Sequence, residues 1–359
     1  MKVCLVSFIA PYTIPYINIY LKKIRENNDE CDVVFWDRDG DCENKKDNNI
    51  HYIPISMNVK QYKFRIGRHL QYIPVIFCIR KYIKNGKYDR IVFLQTHAAV
   101  ACKNIILKYY KKKYIVDIRD FTLENFFLFR KWEKTVIFNS YCAVISSRGY
   151  ENFLPKYEYV VAHNYTPLNT DTVQGIRLKD KNTNCINISF IGYMRFYEMA
   201  KKLLILFSND CRFHVNYIGT GAMKLEKFCK ENNISNVTLH DKFRPEETVS
   251  FYKNCDLINN LYGNHNKYLD FALSNKLYYA AQFRIPVLVS KDTYSSEIAK
   301  KYNLGISWDP DEKQSLDRLY EMYCNFDRSK MDILADEFLS EVVYENTLFE
   351  NMIEEFLKK

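Results

Sequence analysis

The chain has 359 residues, with 52 Lys+Arg against 43 Asp+Glu, 47% hydrophobic and 26% charged residues. That balance excludes a disordered or collagen-like chain, and the length suits two domains at ~100–200 residues each. The net charge of +9 is uneven: residues 1–165 hold 27 basic and 16 acidic side chains, residues 166–359 hold 25 and 27, and 51–113 holds 14 Lys/Arg beside one acid, Asp89. A basic first half implies an anionic partner for that half alone.

Val3 to Leu21 carries no charge, as a signal peptide or membrane span would. Pro11, Pro15, Thr13 and Asn18, and the lack of an A-x-A-like cleavage site, point instead to a buried strand Lys2–Phe8, a loop, and a helix from Pro15 to Glu26. Further apolar runs predict strands at Asp32–Trp36, Arg90–Leu94, Tyr114–Asp117, Cys142–Ser146 and Tyr159–Ala162. The polar stretch 166–184, with Pro167 and Gly175, reads as a linker. Strands resume at Ile186–Gly192, His214–Gly219, Asn236–His240, Leu257–Leu261, Val287–Ser290 and Leu304–Ser307. Doubly buried strands alternating with helices predict an α/β protein of two Rossmann-like domains with parallel sheets, 1–170 and 183–335. From Glu312 the acidic C-terminal stretch reads as two or three surface helices, with 336–359 crossing back to the first domain. The 11 cysteines are scattered, with no C-x-x-C pair, the usage of reduced cytosolic thiols.

No G-x-G-x-x-G follows the first strand, where the loop is FIAPYTIPY, and no Walker A, H-E-x-x-H or G-x-S-x-G occurs. Asp37-Arg38-Asp39 fits a metal-holding D-x-D, but it lies among turn formers and charges and reads as an exposed loop. The second half is more informative. The strand ISFIG runs through the loop YMRFYE into the helix MAKKLLILF, and a helix N-terminus there would suit a phosphate. Arg195 in that loop is either a diphosphate ligand or a surface arginine. Ser274 is placed to cap a helix whose first turn holds Asn275 and Lys276. A first-turn lysine opposes the helix dipole unless an anion sits beside it.

The ordered segments FIGYMR, YIGTG, VTLHDKFRPEETVSFYKNCDL and SNKLYYAAQFRIPVLVS, preceded by YDRIVFLQTHAAVACKNIILK, YIVDIRDF, AVISSRGYENFL and VVAHNYTP, resemble family 4 glycosyltransferases of the GT-B fold over about residues 1–308. The resemblance implies two Rossmann-like domains facing a central cleft, acceptor on the first and nucleotide-sugar donor on the second. It implies transfer with retention, no required metal, and no cofactor beyond the nucleotide-diphosphate sugar as co-substrate. Asp120 then takes the catalytic place, or else caps its own loop. Gly192, Arg195, Gly219, Gly221, Asn275, Lys276 and Tyr279 line the donor, with Arg195 and Lys276 neutralising the leaving diphosphate. His97, Arg119 and Asn164 lie on the acceptor side, beside His163. Arg119 contacts substrate or pairs with Asp117 or Asp120, and His97 is either a buried, hydrogen-bonded ring or a base. The sequence departs from the family at Tyr279, where a Glu-x7-Glu pair would end, with Asp270 and Glu297 as substitutes. It departs also at Arg284 in place of glycine, at Glu198 in place of lysine, and in its glycine-free first loop.

Residues 60–90 interleave Lys/Arg with Tyr, Phe and Ile. Such a face suits anionic lipid, single-stranded nucleic acid, or a plain solvated surface over core aromatics. With the resemblance, the expectation is an anionic membrane surface contacted through 51–113, no nucleic acid, a lipid-linked glycan acceptor, and a cytoplasmic enzyme of surface-polysaccharide assembly at the inner face of the cell membrane. The rival readings are a GT-B sugar-nucleotide epimerase, a non-catalytic GT-B-like binding protein, and a D-x-D metal-dependent transferase.

Overall fold

The computed structural model describes residues 1–38, 40, 42, 45–56, 72–169, 173, 174, 176 and 184–358. Asp39, residues 60–71 of the basic segment and Gly175 lie outside them. The chain divides into two compact units, Met1–Asn164 with Tyr344–Lys359, and Tyr165–Val343.

The first unit is built on β1 (Lys2–Ser7), β2 (Glu30–Asp37), β3 (Lys45–Asp47), β4 (Ile50–Ser56), β5 (Arg90–Phe93), β6 (Tyr114–Ile118), β7 (Cys142–Ile145) and β8 (Val160–Val161), in the order β3-β4-β2-β1-β5-β6-β7-β8. All neighbours are parallel except β3 with β4. β5, β6 and β7 are buried at every position, which is why they read as apolar runs, broken only by Arg90 in β5 and Asp117 in β6. The helix Ile17–Glu26 buries Ile17, Tyr20, Leu21 and Ile24, one face at helical spacing, so the uncharged N-terminal stretch feeds the core through this helix and β1 while Tyr12, Thr13 and Asn18 stay exposed. No helix among the described residues is long and apolar enough to cross a membrane.

The second unit holds β9 (Ile186–Ile191), β10 (Phe213–Ile218), β11 (Val237–His240), β12 (Leu257–Asn260), β13 (Val287–Ser290) and β14 (Gly305–Trp308), all parallel, in the order β11-β10-β9-β12-β13-β14. All twelve strands expected from the sequence are present within two residues at either end. β3 and β4 were not expected, because β3 is charged and β4 contains Pro54. Proline is tolerated there because β3 pairs only with Ile50–Tyr52, leaving β4 an edge at Pro54 among the described residues.

Two expectations need correction. Described residues of the stretch read as a linker pack onto the second unit: Val173 and Ile176 are buried in its core and the Leu168 N–H donates to Gln282 Oε1 at 2.9 Å, while Tyr165 just before it meets the Tyr278 ring. The sparse apolar residues of a polar segment are its anchors. The division at 335/336 falls inside one continuous 31-residue helix, Arg328–Lys358. Nor is that helix a surface element only. Met331, Ala335, Phe338 and Val342 complete the second unit's core, and Phe349, Ile353, Phe356 and Leu357 complete the first's.

Candidate functional sites

In α/β sheets, ligands bind at the carboxyl ends of the strands, and the expected residues of each unit lie at such ends. In the first unit β6 delivers Asp117, fully buried, and Arg119 just past its end. Arg119 donates twice to the Asp117 carboxylate, at 2.5 and 2.9 Å, and once each to the Ala162 carbonyl at 2.7 Å and Asn164 Oδ1 at 3.1 Å. The Tyr20 hydroxyl donates to Asp117 Oδ2 at 2.9 Å, and the Tyr16 ring lies 4.2 Å from the guanidinium. Burial would lower the Arg119 pKa, but the Asp117 charge, its hydrogen bonds, and Tyr20 and Tyr16 together outweigh it and hold the group charged. Of the alternatives open in the sequence, pairing with Asp117 is the one found, and Arg119 is a brace. Its carbonyl accepts from Tyr150, which fixes the backbone from which the exposed Asp120 projects.

The glycine-free first loop serves the same brace. Tyr16, which covers Arg119, anchors through its hydroxyl to the Leu94 carbonyl at 2.7 Å, and Phe8 N–H donates to Gln95 Oε1 at 3.0 Å. His97 packs on the Phe8 ring at 5.0 Å. Burial, then the Arg38 charge, pushes its pKa down to about 4, so it is neutral at pH 7. Its Nδ1 is buried without a hydrogen-bond partner, so the expected bonded ring is not what is seen. His163 contacts Glu345 through Nε2 at 2.6 Å, and its backbone N–H donates to Asn346 Oδ1 at 2.7 Å, so this strand end carries the last helix.

The first aspartate of the D-x-D pattern is structural. Asp37 accepts from Gly40 N, Cys42 N and the Ser56 hydroxyl at 3.1, 3.0 and 3.2 Å. Burial opposes its ionisation, but these donors together hold its carboxyl below the usual range. Among the described residues one group has metal-ligand spacing, Glu30, Asp32 and His51. It sits at the opposite, amino end of β1 and β2, where Lys2 Nζ lies 3.4 Å from Asp32 and neutralises it.

In the second unit the loops after β9 and β10 interlock. Gly192, Gly219 and Gly221 have φ of 139°, 131° and 93°, and a Cβ at Gly219 would stand 2.0 Å from the Gly192 carbonyl oxygen. Met194 N–H donates to the Thr220 carbonyl at 3.1 Å, tying the two loops together. Arg195 is exposed, with its guanidinium 5.4 Å from the Tyr193 ring, and helps to line a small cavity with Phe190, Asn259 and Tyr262.

The helix Asn275–Phe283 opens as expected. Ser274 Oγ accepts from Lys276 N at 3.3 Å and donates to Asn260 Oδ1 at 2.7 Å. Lys276 is only 8% exposed; its ammonium donates to the Tyr262 hydroxyl at 2.7 Å and lies 4.3 Å from the Phe190 ring. The conflict with the helix dipole is therefore met by an aromatic shelf, with or without an anion. Phe190 and Tyr262 line the same cavity as Arg195, so these two cations border one aromatic wall. Sequence reasoning missed that wall, although aromatics at the ends of β9 and β12 were its visible sign.

Asn275 is exposed at the helix start. Tyr279 is half-buried and stacks on Tyr252, at 5.1 Å, and Phe283, at 6.0 Å, two rings that also touch each other. Asp270 keeps a buried Oδ1 without a partner, whereas Glu297 is exposed in a helix first turn. Glu198 pairs with Lys201 at 3.0 Å. Arg284 caps the helix in left-handed conformation, φ 57°, and bonds Asp336 at 2.5 Å and Asp332 at 3.3 Å. Those two bridges account for an arginine where glycine would relax the backbone.

No family profile and no curated protein matches this chain. Solved structures do. Sucrose-phosphate synthase from Thermosynechococcus elongatus has 10% identity and a TM-score of 0.68 over 99% of this chain and 94% of that one. The lipopolysaccharide outer core galactosyltransferase WaaB has 14% identity and 0.65, over 98% and 99%. Anabaena HepE, in complex with UDP and glucose, has 13% and 0.62, over 98% and 99%. With two mainly parallel sheets and this full-length likeness, the chain has the GT-B fold of these glycosyltransferases.

Proposed function

We propose that the protein is a retaining, metal-independent glycosyltransferase that moves a hexose from a nucleotide-diphosphate sugar to a lipid-linked glycan in surface-polysaccharide assembly. The observation that carries the reading is Lys276. A nearly buried ammonium in a capped first helical turn, beside the Arg195 cavity and the paired glycine loops, suits a diphosphate better than it suits folding. Support for the nucleotide comes from HepE, whose structure holds UDP and glucose. The acceptor oxygen would bond to the anomeric carbon as the bond to the diphosphate breaks. Arg195 and Lys276 would stabilise the charge gained by the leaving group, and Asp120 would support the acceptor hydroxyl and the developing sugar charge. No cofactor is required. The basic first unit would place the enzyme on the inner face of the cell membrane, through 51–113.

The test is thermal stabilisation by a panel of nucleotide sugars without added metal, followed by transfer to lipid-linked acceptors. Stabilisation by none of them overturns the donor site. Tyr279 favours one second reading, a non-catalytic binding protein, because an aromatic stack fills a place where the resemblance expects an acid. Stabilisation with no turnover on any acceptor would select it.

A further inference from the structure

The helix Phe127–Asn139 buries Phe129, Glu133, Val136 and Ile137, one face at helical spacing. Its other face is also apolar. Phe126, Phe127 and Leu128 are 63%, 70% and 58% exposed, and Trp132 and Phe138 are exposed further along. Single exposed apolar side chains need no explanation, but three in succession at the tip of a helix do. The same face carries exposed Arg130, Lys131 and Lys134, and the one acid of the helix, Glu133, is turned into the core. The helix Lys103–Tyr109 packs beside it, with Lys103 Nζ 5.1 Å from the Trp132 ring. The helix Tyr72–Gly86 packs beside that one and exposes Ile73, Phe77, Lys81 and Lys84. Neither of those two helices contains an acidic residue.

From this one-signed, aromatic face we infer that the protein docks on an anionic lipid bilayer through the helix Phe127–Asn139, with Phe126, Phe127 and Leu128 entering the acyl boundary. The charges name the partner. Lys and Arg around an apolar tip match a layer with acidic headgroups above hydrocarbon, whereas a nucleic acid has no use for Leu128. The inference rests on the membrane reading proposed above but places its apolar contact outside 51–113, on an element whose charge alone did not mark it.

The experiment is co-sedimentation of the full chain with phosphatidylcholine vesicles, with and without an equal share of phosphatidylglycerol. The expected result is binding to the anionic vesicles at least tenfold tighter than to the neutral ones. Phe126→Ser/Phe127→Ser/Leu128→Ser should lose at least tenfold, and Lys131→Glu/Lys134→Glu should lose the preference for phosphatidylglycerol. Lys227→Ala/Lys230→Ala, on the other unit, should bind as the parent does. Unchanged thermal melting in each variant shows that the fold is intact. Absence of vesicle binding overturns both the inference and the membrane reading. Binding that survives the triple serine change overturns the inference alone. Retention of the apolar tip by self-association, or by a single-stranded oligonucleotide in place of vesicles, overturns it as well.

Discussion

Arg119 grips Asp117 with both arms of its guanidinium, two residues along the same chain, at 2.5 and 2.9 Å in the interior of the first unit. Neither charge is exposed, and Tyr16, Tyr20, Ala162 and Asn164 complete the enclosure. The pair ties three loops together below Asp120. Removing the arginine leaves a buried, uncompensated carboxylate, which costs roughly 3–5 kcal/mol. Arg119→Ala is expected to lose about that much stability in urea denaturation, and Arg119→Lys to lose less while failing to restore the two-point contact. An Arg119→Ala protein as stable as the parent would show that the pair is ornamental.

On the proposed reading, Lys276 gives the bound diphosphate one charge-assisted hydrogen bond. Such bonds are worth ~1.5–3 kcal/mol, so Lys276→Ala should weaken binding of a uridine diphosphate sugar by roughly 10- to 100-fold. Lys276→Met, which keeps the contact with Phe190 and Tyr262, should melt near the parent yet bind no better than the alanine variant. Isothermal titration distinguishes lost charge from lost packing.

Asp120 tests chemistry apart from binding. Asp120→Asn should leave nucleotide affinity unchanged and lower turnover by about 10²–10³, the scale of a lost electrostatic contribution in the transition state. Full activity in this variant would remove Asp120 from the mechanism.

Glu133 makes stability depend on pH in a direction opposite to the usual carboxylate. Burial, reinforced by the Glu124 carboxyl, pushes it up to about 9 from an ordinary 4.5, and neither of its oxygens has a hydrogen-bond partner of ordinary geometry. Between those two values the folded state holds a proton that the unfolded state has released. Stability contributed by this group is whole below pH 4.5 and falls as pH rises towards 9, at up to about 1.4 kcal/mol per pH unit. Glu133→Gln should flatten that slope and raise the denaturation midpoint at pH 8. A parent whose stability is level from pH 5 to 9 would contradict the neutral, buried acid.

Much of this was legible in the residues, and the exceptions share a cause. Strands rich in buried apolar residues declare themselves as apolar runs, so the twelve expected strands could be read directly, the edge strands β8, β11 and β14 among them. β4 could not, because Pro54 argues against a strand until the short reach of β3 is known. The Ser274 cap was local and therefore visible, whereas Lys276 rests on Phe190 and Tyr262, contributed by other strand ends. For Arg119 a local signal did exist. In an extended segment alternate side chains share a face, which joins 117 to 119 and sets 120 apart. At 126–134 the mixture of aromatics and bases matches that of 60–90, but a charge count does not report which way an apolar side chain points.

The helix Arg328–Lys358 has a consequence for biosynthesis. Tyr165–Val343 is contiguous and can close its core once its last residue has emerged from the ribosome. The first unit, though made earlier, lacks Phe349, Ile353, Phe356 and Leu357 until that helix has been made. The expected order is thus inverted, with the later-made half maturing first and the earlier one waiting as an incomplete sheet. A chain ending at Val343 should still give a protease-resistant 165–343 fragment while residues 1–164 are digested. Equal resistance of both halves would show that the terminal helix is dispensable to the nascent fold.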